Sequence, residues 1–95
     1  MKRIAFTPAA EADLEAIWDY SAVHLGIAQA DRYTDEIRDA CVALANGVKR
    51  GRAVDVREGY RKFATGSHMI YFVEHEDMLA VIRILHGMQD VERHL

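Results

Sequence analysis

The chain has 95 residues, room for one hydrophobic core and not for two. With 51% hydrophobic and 28% charged residues it has the balance of a soluble globular domain, and its single Cys41 excludes an internal disulfide. No apolar run nears the roughly 20 residues that cross a bilayer, and the acids that follow the short apolar start do not fit a signal peptide, so a cytoplasmic protein is expected.

Lys2 to Phe6 reads as a short strand. Thr7-Pro8 then marks a helix start, with Thr7 as the cap and Pro8 at the first helical position, where its missing N–H costs nothing. Glu11, Asp13 and Glu15 follow where the helix dipole favours negative charge. Leu14, Ile17, Trp18, Ser21 and Leu25 recur at helical spacing, and Gly26 is expected to end the helix in a left-handed cap. A second helix is predicted from about Ala28 to Ala45, its stripe being Ala30, Tyr33, Ile37, Ala40, Cys41 and Leu44. Asn46-Gly47 closes it. The connection is so short that the two helices must fold back as an antiparallel hairpin.

Lys49 to Gly59 is polar and basic and reads as a loop. Three strands follow: Tyr60 to Thr65, His68 to Glu74 and Met78 to His86, with Gly66-Ser67 as a tight turn between the first two. The last strand has a near-continuous apolar run, as expected of a strand covered on both faces. The whole is a single α+β domain over residues 1–95: a strand, a helical hairpin, then a three-stranded antiparallel meander with a short C-terminal tail. The first strand must join the meander, making a four-stranded sheet, antiparallel or mixed.

Charge is unevenly spread. Met1 to Val48 carries eight acids and four bases, Lys49 to Lys62 six bases and two acids, and Phe63 to Leu95 five acids and two bases. The basic block suits phosphate, an acidic partner, or plain solvent. No cofactor or metal is expected. His24, His68, His75, His86, His94 and Cys41 lack close ligand spacing, and there is no glycine-rich phosphate loop. RNA cleavage would need a base, an acid and cations around the phosphate. Arg61, Arg83 and His86 are the residues for it, with Lys62 nearby. Period two, however, sends Arg61 and Lys62 to opposite faces, and likewise Arg83 and His86. Arg83, an arginine in an apolar strand, either pairs with an acid such as Glu74 across the hairpin or faces a surface that a partner covers.

Several phrases resemble one family. Thr7-Pro8-Ala9-Ala10-Glu11-Ala12-Asp13-Leu14-Glu15-Ala16-Ile17-Trp18-Asp19-Tyr20 is similar to the opening of ParE-type toxins of the RelE/ParE superfamily, from bacterial type II toxin–antitoxin modules. Gln29-Ala30-Asp31-Arg32-Tyr33, Gly59-Tyr60-Arg61-Lys62-Phe63 and Ser67-His68-Met69-Ile70-Tyr71-Phe72 resemble its later segments. Val81-Ile82-Arg83-Ile84-Leu85-His86 and Asp90-Val91-Glu92-Arg93-His94-Leu95 resemble its ending. The resemblance spans nearly the whole chain.

That resemblance implies a toxin neutralised by a cognate antitoxin of the ribbon-helix-helix type and acting on DNA gyrase by binding. It implies no membrane partner and no sequence-specific DNA binding by this chain. RelE-like members, which cut mRNA on the ribosome, supply the alternative, and an inactive antitoxin-binding module is a third reading. Net negative charge and a tail without tyrosine favour the gyrase branch. Arg83, His86, Met88, Asp90, Arg93 and His94 are then candidates for target contact. Leu25, Ile37, Arg57, Arg61 and Lys62 are candidates for antitoxin contact, with Ile27 and Val48 as further groove residues.

Overall fold

The computed structural model describes residues 1–89 and 91–95. Its elements are β1 (Arg3–Phe6), α1 (Pro8–Leu25), α2 (Ile27–Ala45), β2 (Arg52–Ala53), β3 (Tyr60–Thr65), β4 (His68–Glu74), β5 (Met78–His86) and α3 (Val91–His94). Thr7 caps α1 as its sequence predicts, accepting the Ala10 N–H at 3.0 Å. Its hydroxyl also donates to the Ile82 carbonyl at 2.6 Å, which ties the start of α1 to β5.

Gly26 alone joins the two helices. Its N–H bonds the Ala22 carbonyl, closing α1, and its own carbonyl accepts from Ala30, opening α2. The second helix therefore starts at Ile27, one residue earlier than expected. The backbone there, φ 92° and ψ 159°, is not the left-handed helical cap expected but an extended conformation at positive φ that glycine alone adopts readily.

The sheet has five strands in the order β1-β5-β4-β3-β2, not four. β1 runs parallel to β5, and every other pair is antiparallel. The added strand, β2, lies inside the basic segment read as loop. Two residues are too few to show an alternating pattern, and only pairing of Arg52 with Lys62 and Ala53 with Arg61 reveals it.

α1 and α2 cover one face of the sheet. Leu14, Ile17, Ile37, Cys41 and Leu44 meet Ile70, Phe72, Leu79, Val81 and Ile84 in the core. Each such buried aliphatic or aromatic side chain contributes about 1.5–3 kcal/mol. Ile37, expected at a partner-binding groove, is instead 0% exposed at the centre of this core. Its helical spacing fits either role, and the sheet takes it. Burial pushes the Cys41 thiol up to about 11, which leaves it protonated at neutral pH.

A bulge interrupts the β4–β5 ladder. Phe72 pairs with Val81, yet Tyr71 pairs with Arg83, so Ile82 has no opposite number. The extra residue resets the alternation. Leu79 and Val81 before it and Ile84 after it can then all face the helices. No helix among the described residues is long and apolar enough to cross a membrane.

Candidate functional site

The chemistry-bearing residues gather at the two ends of the sheet surface. At the first, β5 outruns β1. Past Phe6 the outer edge of β5 has no strand partner, and α1 lies there instead. Asp13 of α1 meets that edge. Its carboxylate accepts the Ile84 N–H at 2.8 Å and both Nε and Nη2 of Arg83 at 2.8 Å each. One side chain thus satisfies a strand-edge donor and binds a guanidinium in the two-pronged geometry that makes such pairs strong. Arg83 and Asp13 are 22% and 14% exposed. The hydrogen bonds that Arg83 donates to Asp13 hold the guanidinium above its ordinary pKa, against the opposing effect of burial.

Arg83 is therefore paired internally, and with Asp13 rather than the Glu74 suggested by the hairpin. Glu74 lies opposite Leu79 and bonds Lys2 at 3.1 Å. Asp13 is the residue that sequence reasoning missed. It was legible only as an acid in an early helical turn. The available signal was its position four residues before Ile17, beside the apolar stripe, in a chain with a strand arginine needing a partner.

Beyond Ile84, the ends of β4 and β5 bring two histidines together. His68 lies opposite His86, and their rings meet edge-on with centroids 5.4 Å apart. Each ring is held through Nδ1. That of His68 bonds the Tyr33 hydroxyl at 2.6 Å, and that of His86 accepts the Met88 N–H at 3.2 Å. The Tyr33 oxygen also accepts the Ser67 N–H at 3.0 Å, and its own proton goes to His68 when Nδ1 of that ring is unprotonated. Burial first, and then His86, holds His68 below its usual 6.5, against the opposing pull of Asp13. Asp13, Ile17, Tyr20, His68, Ile84 and His86 line a cleft of about 330 Å³.

The burial of His68 beside Tyr33 carries a pH dependence. His68 titrates lower folded than unfolded, so its contribution is complete above 6.5 and drains away as pH falls toward the folded value. Tyr33→Phe should cost about 1–2 kcal/mol at neutral pH, since Nδ1 and the Ser67 N–H lose their partner. Measured by urea unfolding, that cost should shrink between about pH 7.5 and about pH 5.5. An equal cost at both would show that the phenol does not donate to Nδ1 of His68.

The tail continues from this cleft. The His86 N–H donates to the Gln89 side chain at 2.6 Å and the Gln89 N–H returns to the His86 carbonyl at 2.9 Å. Met88 points outward, 88% exposed. Arg93 is exposed and His94 half-buried on α3, and Asp90 lies outside the described residues. At the far end of the hairpin Leu25 is 66% exposed, with Tyr20, Val23 and Ile27 also exposed.

The second group of residues is the basic block at the β2 edge. Arg57 stacks over Tyr60, 5.4 Å from the ring centre, and donates to the Leu95 carbonyl at 3.0 Å. Arg61 donates to the Gly51 carbonyl at 2.6 Å. Arg61 pairs with Phe72 and faces the helices, whereas Lys62 pairs with Tyr71 and faces away. Strand parity is as expected, and Arg61, Arg83 and His86 do not converge on one point. Among the described residues no group of three or more His, Cys, Asp or Glu could hold a metal ion.

This architecture, a helical hairpin on a mixed sheet whose first strand pairs with its last, is that of a solved chain from a chromosomal ParDE toxin–antitoxin system of P. aeruginosa. The two superpose with a TM-score of 0.77 at 23% identity, over 90% of this chain and 96% of that one. The chain belongs to the family described as "ParE toxin of type II toxin-antitoxin system, parDE", whose profile matches residues 4–91. Among relatives, it is 41% identical over 95 residues to Toxin ParE1 of Mycobacterium tuberculosis (strain CDC 1551 / Oshkosh), covering 98% of this chain and 97% of that protein. It is 32% identical over 96 residues to Toxin ParE1 of Caulobacter vibrioides, covering 100% and 99%.

Proposed function

We propose that this chain, as the toxin of its module, arrests growth by binding DNA gyrase and trapping broken DNA, and that a cognate antitoxin of the ribbon-helix-helix type restrains it. The observation that carries the choice of target is the Asp13–Arg83 pair. A ribonuclease needs free cations around the scissile phosphate. Arg83 has both prongs on Asp13, and Arg61 is engaged with the Gly51 carbonyl. The two arginines of the nuclease reading are thus committed to holding the fold.

The outward tail around Met88 and the His68–His86 cleft offer the target a surface instead. The antitoxin has separate ground at the hairpin end, where Val23, Leu25 and Ile27 are exposed. An amphipathic helix that orders on binding needs such apolar area to offset its ordering cost. The test is purified gyrase with toxin freed of antitoxin. Supercoiling should fall, cleaved DNA should accumulate, and added antitoxin should reverse both. Normal supercoiling, with cut messages in induced cells, would transfer the protein to the nuclease branch.

A further inference from the structure

The basic block divides into committed and uncommitted cations. Arg57 and Arg61 are bound within the molecule. Lys49, Arg50, Arg52 and Lys62 make no side-chain hydrogen bond or ion pair among the described residues, and Asp55 and Glu58 of the same segment do not pair with them. The four flank the β2 edge from both sides: Lys49 and Arg50 line a groove with Arg61 on the helix-bearing face, and Lys62, with Arg52 across from it, faces the other way. Lys49 is pinned to the end of α2 by its N–H on the Ala43 carbonyl, and Arg52 lies directly across from Lys62. Like charges placed opposite one another on a ladder destabilise it, and no acid here offsets the pair. Folding therefore bears a repulsion that an external anion would remove.

We infer that Lys49, Arg50, Arg52 and Lys62 grip the phosphate backbone of duplex DNA without reading its sequence. Charge complementarity and position favour this occupant over an acidic peptide. A peptide that orders on binding needs apolar anchors. The cluster of exposed apolar side chains, Tyr20, Val23, Leu25 and Ile27, sits at the opposite end of α2, about 28 Å away at the helical rise. Beside the cations the exposed large apolar residues among those described are Val48 and, less so, Val56, two isolated valines rather than a cluster. Phosphate contacts need no such anchor, because released counterions drive them. The acid that shares the groove of Lys49 and Arg50 is Glu74, which is already paired with Lys2 at 3.1 Å. That the DNA in question is the segment gripped by gyrase rests on the function proposed above; the phosphate contact itself does not.

The experiment uses the full chain, freed of antitoxin, and short blunt-ended DNA duplexes of two unrelated sequences, read by fluorescence anisotropy. Both duplexes should bind equally. With four phosphate contacts, affinity should fall about 150-fold between about 50 and about 200 mM NaCl. Alanine at all four positions should lower affinity at least about tenfold and flatten that salt dependence. It should not lower the melting temperature, because the Arg52–Lys62 repulsion disappears. No binding at low salt, or equal binding by the alanine variant, overturns the inference. So does an alanine variant that loses antitoxin affinity while the wild type ignores DNA, which would give the surface to an acidic peptide. The assay contains no gyrase, so a supercoiling failure leaves the phosphate site standing and the reverse also holds.

Discussion

Asp13→Ala should unfold this protein more readily than any other single change on its surface. Two losses coincide. Arg83 keeps its charge in a half-buried site with no counter-ion, and the Ile84 N–H keeps its edge position with no acceptor. Removing one partner of a largely buried, hydrogen-bonded ion pair costs about 3–5 kcal/mol. Partial exposure of both groups places the expected value near the lower end, about 3 kcal/mol, or a melting point lower by about 12–24 °C. Arg83→Met should cost less, because Asp13 still accepts from Ile84 and the thioether can lie where the arginine stem lay. Urea unfolding with a double-mutant cycle reads the coupling directly. Zero coupling would mean that Arg83 is held by something other than Asp13.

Phe72→Ala should cost about 3–5 kcal/mol, the usual range for truncating a fully buried aromatic. Its neighbour Gly51 makes the sharper experiment. A methyl group added there would lie 2.5 Å from the Phe72 ring and 2.8 Å from the Lys62 carbonyl. Gly51→Ala should therefore cost about 1–3 kcal/mol through overpacking. Phe72→Leu shortens the ring side of that clash and leaves the carbonyl side. In the Phe72→Leu background the Gly51→Ala cost should drop but not vanish. Full relief would show that the carbonyl yields freely, and no relief that the ring was never the obstacle.

Much of this was readable beforehand, for physical reasons. Thr7-Pro8 and the apolar spacing of α1 and α2 are local signals, and local signals survive folding. The three long strands carried their own alternation and turn residues. What escaped was set by partners far away in sequence. β2 is a strand only because Arg52 and Ala53 meet Lys62 and Arg61. The bulge at Ile82 coincides with the point where the start of α1 bonds β5. Arg83 announced its need for a partner, yet the partner lay on a helix 70 positions away. Ile37 could have served a groove or a core, and spacing alone could not choose. His68 gained its interest only from Tyr33 and His86, neither of them near it in the chain.

The pairing of the first strand with the last has a consequence in time. β1 is made first and has one neighbour, β5, about 75 positions later. Closing a loop of that length costs about 4 kcal/mol before any contact rewards it. During synthesis the helical hairpin can form, but β1 waits unpaired until Met78 to Val81 emerge. A growing chain short of β5 therefore lacks half of its sheet core and the Arg83 anchor. A stop codon anywhere before Val81 should yield a product that is degraded rather than folded. The order of synthesis thus leaves every unfinished copy without the closed sheet on which the finished surface depends.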